Sequence, residues 1–369
     1  MKLENTLPAR LNALTLERNI PVSVTAELTR RCPLSCRHCY LPETSGRARP
    51  GPELDTGKWK KILGQLAEAG ALYLVLTGGE PLLRPDLADL CRYAKELRFD
   101  VRIFSTGLGL TAGLAKELKE AGVSAFEISF YGRPALHDGI TGLKGSFKLS
   151  LTAARLLKKT GMNVKIKTPL MKINSAQAGW LQKLAKREGF EISFDPVIAA
   201  ANDGDKSALP LRLTGPRLAK TVKLLSSFPD PRSSISDSRS PFPDTRHPTP
   251  DKHSLASLDS RPSTLDFLCG AGRNVCAVGS GGELYSCLQL PVKLGNLAGQ
   301  RFKEIWKNSP WLKKWRLAGV KDLKGCSSCA QLDFCSRCPG VSLLEEGDLF
   351  APNRPACEMA EITQQLSKA

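Results

Sequence analysis

The segment that decides the fold is Cys32-Pro-Leu-Ser-Cys36-Arg-His-Cys39-Tyr40, which directly follows a β-branched, apolar run at residues 22–28. Three thiolates this close in sequence reach one metal centre only if the backbone loops around it. Because a 4Fe–4S cluster has four irons, three sulfurs leave one iron open to an outside ligand. A zinc ion would need a fourth protein ligand, and His38 lies inside the loop, where its geometry for that role is poor. The spacing therefore favours an iron–sulfur cluster with one open iron.

From residue 20 to residue 228 the sequence alternates between short apolar runs and amphipathic segments. The pattern predicts strands at 22–28, 72–77, 101–105, 125–130, 164–168 and 191–195, and helices at 55–69, 85–97, 111–121, 146–160 and 175–187. Repeated strand–helix units indicate a parallel sheet with helices on its outside. Six units are fewer than the eight of a closed barrel. The predicted fold class is therefore α/β, as a partial barrel or an open doubly wound sheet.

The composition describes a globular protein large enough for more than one domain, with 369 residues, 41% hydrophobic and 24% charged. No run approaches the roughly 18 apolar residues of a membrane helix, and residues 1–10 lack the apolar core of a signal peptide. We therefore expect a cytoplasmic protein without membrane contact. The formal net charge of +17 suits an acidic partner or simply keeps the protein soluble. Nucleic acid is not the expected partner.

Residues 230–266 differ from the rest because they are rich in Ser, Pro, Asp and Arg and repeat a short unit. Copies of the unit start at Asp230, Asp237, Asp244 and Asp251. Few large apolar residues are present, so the segment is predicted to be disordered, with a docking role as the alternative. The chain then divides into an N-terminal extension at 1–20, an α/β domain at 21–229, this linker, and a small, loop-rich, cysteine-rich domain at 267–369.

Further motifs stand at the ends of the next three predicted strands: Thr77-Gly78-Gly79-Glu80-Pro81, Phe104-Ser105-Thr106-Gly107 and Ser129-Phe130-Tyr131-Gly132. Glycines let a backbone approach a ligand closely, and a carboxylate pairs with an ammonium group. Together with the three-cysteine loop, this ordered series resembles the radical S-adenosylmethionine (radical SAM) enzymes over roughly residues 20–200. The resemblance implies a partial (β/α)6 barrel with parallel strands.

The same resemblance implies a role for each motif. Cys32, Cys36 and Cys39 would hold a 4Fe–4S cluster whose open iron binds SAM. The implied SAM contacts are His38 near adenine, Gly78, Gly79 and Glu80 at the methionine amino group, Ser105 and Ser129 at the ends of the third and fourth strands, and Lys167 at the carboxylate or ribose. A lysine at position 167 can equally extend to solvent. Reductive cleavage of SAM would give a 5′-deoxyadenosyl radical that abstracts a substrate hydrogen.

Eight cysteines follow residue 268, and without a secretion signal such clusters indicate metal ligation rather than disulfides. Their pattern resembles the SPASM domain of radical SAM maturases. The resemblance implies two auxiliary 4Fe–4S clusters, the first held by Cys269, Cys276, Cys287 and Cys338 and the second by Cys326, Cys329, Cys335 and Cys357. Only Ser336 and Arg337 separate Cys335 from Cys338, where the family has three residues. Two zinc sites are the alternative, and Cys91 is interpreted as a small core residue.

The expected activity is oxidative modification of a peptide or protein by a radical SAM/SPASM maturase. The alternatives are the same chemistry on a small molecule such as a tetrapyrrole, and a non-catalytic iron–sulfur binding protein. Expected partners are the peptide or protein substrate, a leader-recognition protein supplied in trans, and an electron donor such as flavodoxin or ferredoxin. No catalytic acid or base is assigned. Asp195 and Asp203, near the end of the sixth strand, are candidates, with a cap or turn as their alternative role.

Overall fold

The structure, a computed structural model, describes residues 7–41, 53–228 and 268–368. Within the predicted N-terminal extension, helix α1 spans Leu7–Arg18. The predicted disordered linker at 230–266 lies outside the described residues and stays a prediction.

A single sheet organises the described residues. Its strands are β1 Ser23–Thr29, β2 Tyr73–Gly78, β3 Asp100–Ser105, β4 Val123–Ser129, β5 Asn163–Pro169, β6 Glu191–Asp195, β7 Val275–Val278, β8 Glu283–Cys287 and β9 Leu290–Asn296. The order is β6-β5-β4-β3-β2-β1-β7-β8-β9. Neighbours from β6 to β7 run parallel, whereas β8 and β9 are antiparallel additions. The fold is thus α/β with a mostly parallel sheet that does not close into a barrel, as a partial barrel requires.

Helices follow the parallel strands as the alternating pattern predicts. The remaining helices of the described residues are α2 Thr56–Glu68, α3 Leu87–Glu96, α4 Ala112–Glu120, α5 Pro134–Thr141, α6 Ser146–Lys159, α7 Ala178–Glu188, α8 Gly215–Ser226, α9 Phe302–Asn308, α10 Pro310–Trp315, α11 Pro339–Glu346 and α12 Arg354–Lys368. The start of α2 is fixed by Asp55, whose Oδ1 accepts a hydrogen bond from Lys58 N at 2.8 Å. The predicted helix at 175–187 begins with a 3₁₀ turn, Ser175–Gln177, before α7. Helices α1, α5, α8, α11 and α12 were not predicted.

The cysteine-rich region shares its sheet and its hydrophobic core with the α/β region. β7 pairs with β1 in parallel from Ser23↔Val275 to Ala26↔Val278. One buried cluster contains Trp59 and Leu66 of α2 together with Val278 of β7 and Phe302 of α9. The two predicted domains are therefore packed through one core. None of the described helices is long and apolar enough to cross a membrane.

We predict that Phe302→Ala destabilises the α/β region and the cysteine-rich region together. Phe302 is fully buried, its backbone N donates to Gln65 Oε1 of α2 at 2.7 Å, and its ring stacks on Trp306 at 5.3 Å. Removing a buried phenyl ring typically costs about 3–5 kcal/mol, which denaturant unfolding measures. Leu317→Ala is the control, because this side chain is 83% exposed and should change stability by less than about 0.5 kcal/mol. Two separate transitions, of which only one moves, would contradict the shared core.

Candidate metal centres and active site

Gly78 and Gly79 bring the end of β2 against the start of the cysteine loop. Backbone hydrogen bonds run from Gly79 N to Thr29 O at 2.8 Å and from Glu80 N to Arg31 O at 2.7 Å. A Cβ on Gly78 would lie 2.2 Å from Thr29 O, and one on Gly79 would lie 2.2 Å from Arg31 O. Gly78 also has a φ of +133°, which disfavours other residues. Both glycines are therefore required by contact with the cysteine loop itself, a role that the sequence alone does not reveal.

Glu80 is a fully buried carboxylate at the point where β2, β3 and the cysteine loop meet. It accepts hydrogen bonds from Ser105 Oγ at 2.7 Å, Thr106 N at 2.7 Å and Leu82 N at 3.1 Å, and also from Thr106 Oγ1. Burial raises the pKa of Glu80, while these donors act in the opposite direction. Donors on this scale align a carboxylate and favour its charged form. The site thus holds the Glu80 carboxylate in a fixed orientation next to Cys32. The negative charge of Glu80 contributes to the raised pKa of the Cys32 thiol.

Ser105 and Thr106, at the end of β3, both donate hydrogen bonds to Glu80, but only Ser105 was predicted to be a site residue. Ser105 is a predicted SAM contact, yet its Oγ donates to Glu80 and accepts from Gly107 N at 2.8 Å. Thr106 was not predicted, although it supplies two donors to Glu80. The signal that could have found it is the pair of hydroxyl residues at the end of β3.

The three thiols of the cysteine loop lie close to one another. Burial, together with the charges of Glu80 and Cys39, raises the pKa of Cys32 to about 11. Burial, together with the neighbouring thiols of Cys39 and Cys32, raises the pKa of Cys36 to about 12. Thiolates rather than thiols bind metals. Assembly of a 4Fe–4S cluster on these three residues would therefore release protons, and the positive charge of its irons would offset the repulsion between three thiolates.

Tyr131 joins this group from the end of β4, although sequence reasoning did not select it. Its hydroxyl hydrogen-bonds with the Cys36 thiol and the Ser129 side chain. Its ring meets the His38 ring edge-on, with centroids 4.8 Å apart. Burial lowers the pKa of His38 to about 4, so the imidazole is neutral at pH 7. The motif Ser129-Phe130-Tyr131-Gly132 was the available signal.

Lys167 lies on β5 over the neighbouring strands. Its Nζ is 3.4 Å from Glu127 Oε2 and 4.6 Å from the centroid of the Phe104 ring. The lysine is therefore held above the sheet by an ion pair and a cation–π contact. Its predicted contact with SAM stays a prediction.

Arg84 ties together the chain segments that flank the cysteine loop. It donates to the carbonyl oxygens of Leu28 and Leu54, both at 3.1 Å. A bidentate pair joins it to Asp86 at 2.9 and 2.6 Å, and Thr56 Oγ1 donates to the same carboxylate at 2.7 Å. The end of β1, the start of α2 and the turn after β2 are thus fixed by one buried guanidinium, because its planar fork can serve several acceptors at once.

Asn202 connects the cysteine loop with the cysteine-rich region. Its backbone N donates to Tyr40 O at 2.9 Å, and its Nδ2 donates to Leu288 O at 3.2 Å. Tyr40 directly follows Cys39, and Leu288 directly follows Cys287. A single residue therefore bridges two of the three cysteine groups.

A buried ion pair holds the same chain segment on α11. Arg212 Nη1 donates to Glu345 Oε2 at 2.9 Å, and Nη2 donates to Oε1 of the same carboxylate.

The candidate acid or base residues Asp195 and Asp203 accept hydrogen bonds from Val197 N at 2.9 Å and from Asp205 N at 3.0 Å, respectively. These contacts give both aspartates a place in turns.

The eight cysteines of the C-terminal region fall into two groups. Burial, together with the thiols of Cys287 and Cys338, raises the pKa of Cys269 to about 12. Cys276 is also fully buried, and its pKa is raised by burial and by Cys287. The structure thus brings together the four residues that the resemblance assigns to the first auxiliary cluster.

The other four cysteines line one cavity beside α12, together with Arg337. These are Cys326, Cys329, Cys335 and Cys357. Burial raises the pKa of Cys335, and the other three thiols of the group raise it further. The residues assigned to the second auxiliary cluster therefore surround a common space. Cys91 is fully buried among core residues, away from both groups.

Within residues 7–41, 53–228 and 268–368, no three Cys, His, Asp or Glu side chains converge tightly enough to hold a single metal ion. A 4Fe–4S cluster does not need such convergence, because each thiolate binds a different iron. The three groups fit clusters in this respect.

Comparison with known families agrees with this arrangement. A model of the Radical SAM superfamily matches residues 26–178, and a model of the SPASM iron–sulfur cluster-binding domain matches residues 269–339. The chain is a radical SAM protein with a SPASM domain. It is therefore an enzyme, and its cofactors are S-adenosylmethionine and 4Fe–4S clusters. Of the predicted ligands, Cys357 lies beyond the matched residues.

Relatives of this radical SAM protein include enzymes with different substrates. It is 28% identical to the AdoMet-dependent heme synthase of Methanosarcina barkeri, over 92% of this chain and 97% of that protein. It is 29% identical to the mycofactocin maturase MftC of Mycobacterium tuberculosis, over 85% of this chain and 77% of the maturase. The PqqA peptide cyclase of Ruegeria pomeroyi is 39% identical over 38% of each chain.

Solved structures share the fold of this radical SAM protein. Streptococcus suis SuiB bound to S-adenosylmethionine superposes with a TM-score of 0.67, at 17% identity, over 94% of this chain and 81% of SuiB. The anSMEcpe structure with bound AdoMet gives a TM-score of 0.71, at 18% identity, over 94% of this chain and 93% of that chain.

We predict that Gly79→Ala abolishes the cluster of the cysteine loop, because the added Cβ would meet Arg31 O and displace the loop. The variant should bind about four irons fewer than the wild type after anaerobic reconstitution and should not cleave SAM. Gly179→Ala is the matched control, since a Cβ there meets nothing within 4 Å. A Gly79→Ala protein with wild-type iron content and SAM cleavage would contradict the account of this contact.

Proposed function

We propose that this radical SAM protein oxidatively modifies a peptide or protein side chain and carries two auxiliary 4Fe–4S clusters. The observation that carries the proposal is the division of eleven cysteines into one group of three beside buried Glu80 and two groups of four. Three thiolates leave an iron open for SAM, whereas four thiolates complete a cluster. Such clusters are suited to electron transfer or to holding substrate near the site.

The residues of the active site would have distinct roles. Cys32, Cys36 and Cys39 hold the first cluster, which when bound supplies the electron for reductive cleavage of SAM. Glu80, aligned by its hydroxyl and backbone donors, binds the ammonium group of SAM. Neutral His38 offers its ring to the adenine. Other proposed SAM contacts are Gly78, Gly79, Ser105, Ser129 and Lys167.

The face of the sheet away from the helices supports a peptide as substrate. Val24, Ala26 and Leu28 of β1 belong to the helix-side core, so Glu27 of the same strand faces the opposite side. On that side Glu127 already pairs with Lys167. Glu27 also accepts a hydrogen bond from the Tyr40 hydroxyl at 2.7 Å. This face therefore presents carboxylates as well as a cation, which suits a peptide that carries both kinds of charge.

The relatives add support for this substrate class. MftC is named as a maturase and the PqqA enzyme as a peptide cyclase. SuiB has been crystallised with the precursor peptide SuiA, and anSMEcpe with the Cp18Cys peptide. We propose further that the protein works in the cytoplasm with an electron donor such as flavodoxin or ferredoxin, and that a separate protein recognises the leader of the substrate.

A tetrapyrrole is the second candidate substrate. The observation that favours it is the match to the heme synthase, which extends over 97% of that enzyme. The two proposals share the same SAM chemistry at the first cluster. They differ only in the substrate, a peptide or a tetrapyrrole, that would bind next to it.

The decisive experiment presents both substrate classes to the anaerobically reconstituted enzyme with SAM and a reductant. The candidate substrates are short peptides encoded beside its gene and a porphyrin with carboxylate side chains. We expect 5′-deoxyadenosine together with a peptide that has lost a pair of hydrogens, as detected by mass spectrometry. Turnover of the porphyrin alone would select the second candidate, and absence of SAM cleavage would overturn both.

A pair of cysteine variants separates the auxiliary clusters from the first. Cys269→Ala should still cleave SAM but should not modify the peptide. Cys91→Ala is the matched control, because it removes a buried thiol that no cluster uses. Normal peptide modification by Cys269→Ala would contradict a role for the first auxiliary cluster in turnover.

A further inference from the structure

Arg337 occupies the two-residue gap between Cys335 and Cys338, which is the departure from the SPASM spacing found in the sequence. Cys335 belongs to the second auxiliary group and Cys338 to the first. The position therefore places a guanidinium at the junction of the two groups. Arginine keeps its charge in proteins, and its fork of donors can be held rigidly.

The side chain of Arg337 is fixed by backbone acceptors. Its Nε donates to Ala351 O at 3.2 Å, and its Nη2 donates to Ala351 O at 2.9 Å and also to Leu349 O. These carbonyls belong to the loop before α12, the helix that carries Cys357. Arg337 is half-buried and lines the cavity that the second group of cysteines surrounds.

Arg337 interacts electrostatically with cysteines of both groups, namely Cys326, Cys335, Cys338 and Cys269. The charge of Arg337 also helps to lower the pKa of Asp348, but Asp348 forms its ion pair with Lys324, at 2.6 Å. In the described part of the chain, no carboxylate lies within ion-pair distance of Arg337. Glu361 lines the same cavity without forming an ion pair with Arg337, so the guanidinium remains available to the cysteine sulfurs around it.

We propose that Arg337 is a shared counter-cation that raises the reduction potentials of both auxiliary clusters. The inference rests on the proposed function, since it requires both clusters. A cluster bound by four thiolates carries net negative charge, and reduction makes it more negative. Reduction potentials depend on net charge, hydrogen bonds and solvent exposure, so a half-buried cation between two such clusters stabilises their reduced forms and makes them better electron acceptors.

A purely structural role, in which Arg337 only holds the loop at Leu349 and Ala351, makes a different prediction. A structural role depends on the hydrogen-bonding fork, whereas the electrostatic role depends on the charge. Lysine keeps the charge and loses the fork, while glutamine loses the charge. Comparing the two variants therefore separates the two roles.

The test is a redox titration of full-length protein, followed by EPR, on Arg337→Gln, Arg337→Lys and the charge-matched control Lys321→Gln, whose side chain is exposed. In Arg337→Gln we expect the reduction equilibrium of both auxiliary clusters to fall by about tenfold, or about 59 mV for one electron. The cluster of the cysteine loop should be unchanged. Arg337→Lys and Lys321→Gln should remain near the wild type.

Potentials in Arg337→Gln that match the wild type would overturn the proposal, as would a shift of equal size in Arg337→Lys. If Arg337→Gln binds less iron, Arg337→Lys decides, because wild-type potentials in a fully loaded lysine variant support the electrostatic role. Iron content is measured before each titration. A wild-type protein loaded with zinc would overturn the proposed function, whereas full iron loading with unshifted potentials would overturn only the role of Arg337.

Discussion

Two backbone hydrogen bonds between the end of β2 and the start of the cysteine loop fix the rest of the active site. They form only because Gly78 and Gly79 leave no Cβ in the way of Thr29 O and Arg31 O. Glu80 follows at once and is turned into the interior, where the donors at the end of β3 reach it. One close contact therefore positions both the three thiols and the carboxylate beside them. Arg84 supports this contact by donating hydrogen bonds to the carbonyl oxygens of Leu28 and Leu54, in the chain segments that flank the cysteine loop.

The three cysteine groups belong to one packed body. β7 extends the parallel sheet from β1, which places Cys276 in the core of the α/β region. Asn202 joins the residues that follow Cys39 and Cys287, and the Arg212–Glu345 pair fixes the same segment to α11. Metal binding in such a region adds to folding free energy, because ligands from distant parts of the chain are joined. The geometry between the groups is thus set by the fold as well as by the metals.

The sequence was sufficient wherever the signal is local. Strands β1–β6 lie within two residues of their predicted bounds, because each is a short apolar run that is separated from the next by a helical segment. Strands β7–β9 were not predicted, since β7 has only four residues and depends on pairing with a strand some 250 residues earlier. The grouping of the cysteines followed from resemblance. Arg84 and Asn202 were missed because their partners are distant in sequence: Leu28 lies 56 residues from Arg84, and Leu288 lies 86 residues from Asn202. No spacing rule detects such contacts.

The central claim is that the chain carries three iron–sulfur clusters, of which only the one in the cysteine loop has an open iron. Metal analysis of a Cys32, Cys36, Cys39→Ala triple variant tests it most directly. After anaerobic reconstitution the wild type should hold about twelve irons and the variant about eight, with SAM cleavage confined to the wild type. A variant that keeps the wild-type iron content, or a wild-type protein that takes up zinc in place of iron, would contradict the account.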